Sequence, residues 1–246
     1  MSLKNEFVAT GNWLFKYRSY LPLLILPLLF YNLLTPVGAE TQHILLIVGL
    51  TIAYLGECIR IYTIAYVPAG TSGRNTKQQL AVKLNTEGIY STVRHPLYLG
   101  NFLIFLGPFI FTGNLYGILI FIFVFWIYYE RIMYAEEAFL AAKFGNIYEE
   151  WSSKTPAFFP NIKLFTSQNS KFSLIKVLKN EYSGFCGVFV IFTIIVVFRN
   201  YSFNIWEKCR RLRRPFFINI SKFRCQKGFF CIHNSFVINP KYKDKY

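Results

Sequence analysis

The residues best suited to chemistry lie in one polar stretch between two apolar segments, residues 85–100 (NTEGIYSTVRHPLYLG). Arg94 and His95 are followed at once by Pro96. A proline disfavours the helical conformation in the residue before it and is well suited to the first position of a helix. We therefore expect a helix to begin at Pro96, with His95 extended just before it. Such a helix N-terminus can receive an anion, because its backbone N–H groups are free and its dipole end is positive.

A second charged group follows at the end of another apolar segment. Residues 115–129 continue without a helix-breaking residue into ERIMYAEEAFLAAKFG, which is rich in strong helix formers, and Gly145 is suited to end the helix. We expect one long helix that leaves the membrane and carries Glu136 and Glu137 on its emerging part.

The turn Gly113-Asn114 joins this helix to the one that begins at Pro96, so the two helices should form a hairpin. The two helices of a hairpin run in opposite directions. The sequence therefore predicts that His95 and Glu136 lie on the same side of the bilayer, where they can share a site.

The composition indicates a polytopic membrane protein. The chain has 246 residues, of which 54% are hydrophobic and 20% aromatic, and its mean hydropathy is +0.33. This apolar fraction is above the usual range of soluble domains, and the apolar runs are long and almost uncharged. We predict an all-α protein with about four or five transmembrane helices and a cytoplasmic cofactor pocket formed by loops and helix ends. The candidate spans are 21–37, 43–66, 97–112, 115–129 and 182–198.

Positive charge is concentrated in the tail. The net charge is +15, and residues 199–246 hold 12 Lys and Arg against 2 Asp and Glu. A basic tail beside a membrane segment favours anionic lipid over nucleic acid, and we find no nucleic-acid motif. We expect a membrane domain over 1–180 with its motif core at 67–160, an additional apolar segment over 181–199, and a basic tail over 200–246 that is a candidate for disorder.

The charge distribution also predicts an orientation, with one conflict. Positive residues cluster in 67–96 and 131–181, so these regions should be cytoplasmic. A fifth segment that crosses the membrane would place the basic tail outside, against the rule. Either this segment does not fully cross or the tail is an exception.

Two charged residues lie within the second apolar segment. Glu57 and Arg60 are costly in lipid, and because they are three positions apart they can form an ion pair on one helix face. The alternative is that they line a substrate cavity.

Three motifs together resemble a known family. They are GxYxxxRHPxYxG over 88–100, EExxLxxxFGxxY over 136–148 and TPxFxP over 155–160. Over roughly residues 45–160 the chain resembles the isoprenylcysteine carboxyl methyltransferase and phospholipid methyltransferase group of integral membrane enzymes. The longer stretch TSGRNTKQQLAVKLNTEGIYSTVRHPLYLGNF looks like a bacterial branch of that group.

The resemblance implies S-adenosylmethionine as cofactor, held on the cytoplasmic side under a cap of loops. In the prenylcysteine enzymes an arginine stands four residues before the glutamate that corresponds to Glu136, next to the substrate. That position is Ile132 here, and the arginine is Arg131, one place earlier. The residues that the resemblance places at the cofactor pocket are Val82, Leu84, Asn85, Tyr90, His95, Pro96, Leu97, Tyr98 and Glu136, and we add Glu137.

The residue types fit this cofactor independently. S-adenosylmethionine carries a carboxylate, an ammonium, a sulfonium and a ribose diol. A helix N-terminus beside Arg94 suits the carboxylate, Glu136 or Glu137 suits the ammonium or the diol, and Tyr90 and Tyr98 offer ring faces to the sulfonium.

The cofactor supplies the electrophile, so the protein has to align the reactants and exclude water. An anionic acceptor needs no general base. The cations near the motifs favour such an acceptor: Arg74, Lys77, Arg94 and Arg131. We predict methylation of a carboxylate or phosphate oxygen on a lipid or lipidated acceptor. The predicted catalytic residues are Arg94 and Arg131, which would orient the acceptor, and Glu136, which would hold the cofactor.

Two other functions stay open at this point. Sterol-reductase-like membrane enzymes are similar in their C-terminal hairpin but bind a nicotinamide dinucleotide, and a non-catalytic membrane scaffold could retain the motifs. We expect no metal site and no removable signal peptide. The sequence does not predict the oligomeric state.

Overall fold

The computed structural model of the chain describes residues 3–67, 81–168 and 170–226. Within these residues the chain is almost entirely helical, as predicted. A 3-10 turn at Ile162–Leu164 precedes the last helix. The α-helices are α1 Leu3–Tyr17, α2 Leu21–Leu33, α3 Ala39–Tyr66, α4 Ile89–Thr92, α5 Pro96–Thr112, α6 Leu115–Phe144, α7 Asn146–Lys154 and α8 Leu174–Gln226.

The chain divides into two units, Met1–Asn200 and Tyr201–Tyr246, and the site described below lies in the first. Three helices are long and apolar enough to cross a membrane: α3, α6 and the part of α8 from Leu174 to Ile205. Two shorter apolar helices, Leu23–Leu33 and Pro96–Thr112, accompany them. The chain is therefore an integral membrane protein, and our four or five crossings remain a prediction.

Some predicted boundaries were wrong. The first apolar segment, expected over 21–37, is helical only as far as Leu33. The segment expected over 182–198 belongs to a much longer helix that already begins at Leu174. We placed the start too late because the residues of this helix before 182 include polar ones, and the prediction followed apolar residues alone.

The predicted hairpin is formed by α5 and α6. Gly113 ends α5 in the left-handed conformation, with φ 69°, which glycine adopts without a steric cost. Asn114 then caps α6, since its side-chain oxygen accepts a hydrogen bond from the backbone N–H of Gly117 at 3.2 Å. The two-residue turn brings the end of α6 back alongside the start of α5.

Small residues allow α3 and α5 to pack closely in antiparallel directions. A Cβ atom on Gly49 would lie 2.6 Å from the carbonyl oxygen of Gly107, and one on Gly56 would lie 2.6 Å from that of Gly100. Close backbone approach through small residues is typical of helix pairs in membranes, where van der Waals contact drives association. This packing fixes α5, and therefore its N-terminus, against α3.

The expected pairing of Glu57 with Arg60 was wrong. Arg60 instead binds Glu181 of α8, with its Nε and Nη2 atoms 3.0 and 2.6 Å from the two carboxylate oxygens. Its Nη1 donates to Asn101 on α5 at 2.6 Å. Glu57 is almost fully buried, and its carboxylate lies beside that of Glu181 against Gly184. The helix spacing allowed the local pair, but it could not reveal that α8 supplies a better-placed partner.

The other end of α8 is also tied to α5. The buried guanidinium of Arg199 donates hydrogen bonds of 2.7 and 2.6 Å to the carbonyl oxygens of Phe111 and Thr112, at the C-terminus of α5. A cation at this position satisfies terminal carbonyls and complements the negative end of the helix dipole. Residues 181 to 199 of α8 therefore extend along α5 in the same direction.

Helix α1 packs on the emerging part of α6. The hydroxyl of Tyr128 donates to the carbonyl oxygen of Leu14 at 3.2 Å, and Arg131 donates to the hydroxyl of Thr10 at 3.3 Å. The two helices are antiparallel, because residue numbers rise along one as they fall along the other.

Candidate functional site

The turn that carries Arg94 and His95 is held by a later segment of the chain. The backbone N–H of Arg94 donates to the carbonyl of Pro156 at 2.9 Å, and that of His95 donates to Ala157 at 3.1 Å. The N–H of Asn161 returns a bond to Thr92 at 2.9 Å. The TPxFxP motif therefore supports this turn, a role that we did not predict from the sequence.

Helix α5 begins at Pro96, as predicted. His95 precedes it with φ −120° and ψ 62°, outside the helical region, as expected for a residue before proline. The backbone of His95 is less extended than predicted. This conformation directs the chain from the supported turn into the helix.

The hairpin brings the two charged groups together. The Nε2 atom of His95 lies 2.9 Å from Oε1 of Glu137, and its Nδ1 atom lies 3.6 Å from Oε2 of Glu136. The Nη1 atom of Arg94 binds Oε2 of Glu137 at 2.9 Å. We call Arg94, His95, Glu136 and Glu137 the charged cluster.

His95 is the most buried member of the charged cluster, with 5% of its side chain exposed. Burial opposes its protonation, but the hydrogen bonds and negative charges of Glu136 and Glu137 outweigh burial and raise the pKa of His95. A protonated imidazole donates from both nitrogens. His95 can therefore hold both carboxylates at once.

Tyrosine rings surround the charged cluster. Tyr98 stacks on His95 with ring centroids 5.6 Å apart, and its hydroxyl interacts with the Glu136 carboxylate. Tyr129 packs on Tyr98 at 5.0 Å. On the other side, Nη1 of Arg94 lies 3.4 Å from the hydroxyl of Tyr148.

Tyr90 lies in the short helix α4, directly before the turn that carries Arg94 and His95. Its carbonyl oxygen accepts a hydrogen bond from the indole N–H of Trp151 at 3.2 Å. Burial, together with the nearby charge of Glu136, raises the pKa of Tyr90 well above its ordinary value. Its phenol therefore stays neutral at physiological pH.

The remaining predicted pocket residues differ in exposure. Pro96 and Leu84 are buried, Asn85 and Leu97 are half-buried, and Val82 is 76% exposed. Arg74 and Lys77, which we counted among the cations near the motifs, lie outside the described residues.

The structure does not bring Arg131 to the charged cluster. Its guanidinium contacts the hydroxyl of Thr10 at 3.3 Å and the ring of Phe7 at 4.9 Å, both on α1. Ile132, which takes the place of the family's arginine, is fully buried. The expectation that Arg94 and Arg131 together orient an acceptor therefore has no geometric support.

Three residues near the charged cluster were missed. Tyr129 and Tyr148 pack around it, as described above. Arg18 follows α1 and lies close enough for its positive charge to act on Tyr98 and Glu136. In the sequence Arg18 alternates with aromatic residues, which is typical of a headgroup contact. The return of α1 along α6 leaves no local signal in the sequence.

The charged cluster fits the groups of S-adenosylmethionine. The Nε atom of Arg94 is buried and has no hydrogen-bond partner among the described residues, so it can still donate to a carboxylate. The side chains of Glu136 and Glu137 are 32% and 24% exposed, so both carboxylates can be reached. The ring of Tyr98 provides an aromatic face beside them.

The helices and the charged cluster define a polytopic helical membrane protein with a polar site at the N-terminus of one helix. The family described as phospholipid methyltransferase matches residues 44–147. This range contains all four residues of the charged cluster, and the family resemblance predicted from the motifs is confirmed over it.

Individual proteins are similar over the same region. Protein-S-isoprenylcysteine O-methyltransferase of Schizosaccharomyces pombe is 37% identical over 114 residues, which cover 44% of this chain and 46% of that protein. Cobalt-zinc-cadmium resistance protein CzcN of Cupriavidus metallidurans is 31% identical over 133 residues, 54% of this chain and 57% of that protein. The chain spans about half the length of these curated relatives.

Among solved structures, the eukaryotic intramembrane Ras methyltransferase ICMT is 22% identical. The match covers 68% of this chain and 55% of that one, with a TM-score of 0.41.

Proposed function

We propose that this chain is an S-adenosylmethionine-dependent methyltransferase that methylates a lipid or lipidated acceptor on a carboxylate or phosphate oxygen. The observation that supports the proposal best is the charged cluster. Two motifs that resemble methyltransferase motifs, far apart in the sequence, meet there through the α5–α6 hairpin. The name of the Schizosaccharomyces pombe relative agrees with a lipid-linked acceptor.

In this proposal the charged cluster binds the cofactor. Arg94 would bind the cofactor carboxylate through its unpartnered Nε atom, while Glu136 and Glu137 would accept from the ammonium and the ribose hydroxyls. Tyr98 would present its ring to the sulfonium. His95 would keep both carboxylates in place, and Tyr90, Leu84 and Asn85 would border the pocket. S-adenosylmethionine, when bound, would supply the methyl group as the electrophile.

The protein's own contribution would be alignment. Methyl transfer is an in-line displacement, so the acceptor oxygen must approach the methyl carbon from the side opposite the departing sulfur. An ionised carboxylate or phosphate has a lone pair ready, so none of the described residues needs to act as a base. Tyr129 and the aromatic residues around Tyr98 would exclude water from the reacting groups.

Ligand binding tests the cofactor assignment. In calorimetry of the detergent-purified full chain, we expect S-adenosylmethionine and its demethylated product to bind and NADPH not to bind. Glu136→Gln and His95→Ala should abolish or strongly weaken the signal. Glu150→Gln is the matched control, since Glu150 is an exposed carboxylate whose ion pair, among the residues that the structure describes, is with Lys154. Binding of NADPH would support a reductase instead, and binding of neither ligand would support a non-catalytic scaffold.

The acceptor requires a separate experiment. The purified chain would be incubated with methyl-labelled S-adenosylmethionine and membrane lipid extract, and the labelled product would be identified by mass spectrometry. We expect the label on an oxygen of an anionic amphiphile. A label on nitrogen would contradict the O-methylation part of the proposal while leaving methyl transfer itself intact.

A further inference from the structure

A second feature of the molecule is a groove between α1 and α6, which has a volume of about 490 Å³. Its walls are apolar and include Trp13 and Leu14 of α1 and Phe123 and Ile127 of α6. Trp13 and Phe123 are largely exposed, so the groove is open along its side. In an integral membrane protein, an open apolar groove between two helices faces lipid.

One end of this groove is polar. The side chains there are Thr10 and Arg131, which are hydrogen-bonded to each other at 3.3 Å. Arg131 is half-buried, and among the side chains that the structure describes it has no carboxylate partner. A guanidinium next to hydrocarbon needs an anion, because charge is costly there. The Thr10 hydroxyl accepts from Arg131 and donates to the carbonyl oxygen of Glu6 at 2.8 Å, so it holds the guanidinium at the end of the groove.

The dimensions of the groove match one acyl chain. Along α6 the lining extends from Phe123 to Arg131, about 12 Å at the helical rise per residue. One leaflet of the hydrocarbon core is about 15 Å thick. An acyl chain lying along the groove would therefore place its headgroup near Arg131. Apolar walls with a cation at one end, which has no carboxylate partner among the described residues, suit an anionic lipid better than a neutral one.

The groove and the charged cluster lie on different sides of α6. Tyr128 lines the groove, whereas the next residue, Tyr129, packs on Tyr98 of the charged cluster. A lipid in the groove is therefore separated from the charged cluster by the helix itself. Its role differs from that of a methyl acceptor.

The geometry points to a binding site for an anionic membrane phospholipid, with its phosphate at Arg131 and one acyl chain between α1 and α6. This inference does not depend on the proposed methyltransferase activity. The bound lipid would contact both α1 and α6, which also pack directly on each other where Gly11 lies against the backbone of Arg131.

Retention of defined lipids tests this site. The delipidated full chain would be exchanged into mixed micelles that contain phosphatidylglycerol or phosphatidylcholine with identical acyl chains, and bound lipid per chain would be quantified after washing. We expect phosphatidylglycerol to be retained in preference to phosphatidylcholine. Arg131→Gln should weaken phosphatidylglycerol retention about tenfold, the effect of losing one charge-assisted contact.

Two further variants make the test specific. Lys143→Gln removes one positive charge from the same helix outside the groove and should retain lipid like the unmodified chain. Ile127→Trp fills the groove and should reduce retention of both lipids. The thermal midpoint of each variant in phosphatidylcholine micelles shows whether it is folded. Equal retention of the two lipids by the unmodified chain, or equal losses in Arg131→Gln and Lys143→Gln, would overturn the inference.

Discussion

His95 determines the electrostatic balance of the charged cluster. With His95 protonated, two cationic and two anionic side chains face one another, and the group is close to neutral. With His95 neutral, the cluster keeps two carboxylates against one guanidinium. Protonation of this one residue therefore controls how strongly the cluster attracts a cationic ligand group and how stable the cluster is by itself.

The raised pKa of His95 predicts a dependence of stability on pH. A group whose pKa is higher in the folded state adds stability that is complete below its unfolded pKa, near 6.5, and that is lost as pH rises through the folded pKa. We expect the thermal midpoint of the detergent-purified chain to fall as pH increases above about 6.5. His95→Gln should lack this component, so the difference between the two proteins should shrink at higher pH. A difference that grows with pH would contradict the assignment.

Glu137 should matter more for stability than its exposure indicates. It binds both Arg94 and His95, so Glu137→Gln leaves two partly or fully buried cationic groups without their main partner. We expect a loss of about 1–3 kcal/mol in the free energy of unfolding, measured by denaturation in detergent. The exposed pair of Glu150 and Lys154 provides the comparison, and Glu150→Gln should leave the free energy of unfolding nearly unchanged. Equal losses would mean that the charged cluster does not stabilise the fold.

Individual site residues could be predicted from the sequence where their selection depended on a local motif. His95, Tyr98, Glu136 and Glu137 were selected because motif chemistry and hairpin direction both pointed to them. Arg131 was chosen only for its position along the chain, and a change of one residue rotates a side chain by about 100° around a helix. It faces α1 for that reason. Arg18 was missed because its proximity depends on tertiary packing.

Among the helix contacts, the interface between α3 and α5 determines where the N-terminus of α5, and therefore His95, lies. Two backbone contacts through glycine, described above, leave no room for even a methyl group without displacement. Since the N-terminus of α5 carries His95, any movement of α5 along α3 would be transmitted to the distance between His95 and Glu137. The small residues of this interface are therefore part of what positions the site.

A substitution at Gly56 tests this interface. Its added side chain would lie 2.6 Å from the carbonyl oxygen of Gly100 and 2.8 Å from Cβ of Leu103, so Gly56→Val should destabilise the fold by about 1–3 kcal/mol through overpacking. The measurement is the thermal midpoint together with S-adenosylmethionine binding.

Gly187 is the matched control for that experiment. It lies in the apolar part of α8, and a Cβ atom there would meet nothing within 4 Å. Gly187→Val should leave both the thermal midpoint and ligand binding nearly unchanged. If the two variants behaved alike, the effect at Gly56 would reflect glycine replacement in general rather than close helix contact.

Helix ends and turns could be predicted where single residues determine them, whereas contacts between distant segments could not. The turn at Gly113-Asn114 and the start of α5 at Pro96 follow from the backbone preferences of single residues. The attachment of residues 155–160 to the turn at 92–95 does not, because backbone hydrogen bonds between distant segments leave no sequence pattern. The aromatic residues of 155–160 are typical of a membrane interface, and they give no sign that this segment binds the turn.

In the membrane domain as a whole, α8 makes polar contacts near both ends of α5. Its contacts run from Glu181, bound to Arg60, to Arg199 at the C-terminus of α5. The 18 helical steps from Glu181 to Arg199 span about 27 Å, close to the thickness of the hydrocarbon core. Of the two alternatives left by the charge distribution, this geometry favours a fifth segment that crosses the membrane.

Chemical labelling tests the predicted orientation. Glu150 follows α6 at the end that carries the charged cluster, whereas Glu40 begins α3 near the turn between α5 and α6, where Gly113 contacts Leu45. Both residues are exposed. In a chain whose native cysteines are replaced by serine, Glu150→Cys should react with an impermeant thiol reagent from the cytoplasmic side and Glu40→Cys from the opposite side. Reaction of both from one side would contradict the arrangement.

The hydrogen bonds from Arg94 and His95 to Pro156 and Ala157 have a consequence for biosynthesis. Translation proceeds from the N-terminus, so α5 and α6 leave the ribosome before the residues that support the turn at Arg94. The site then acquires its final shape only after the segment through Asn161 has emerged. A nascent chain arrested before that point should have α5 and α6 inserted but should be unable to bind its ligand.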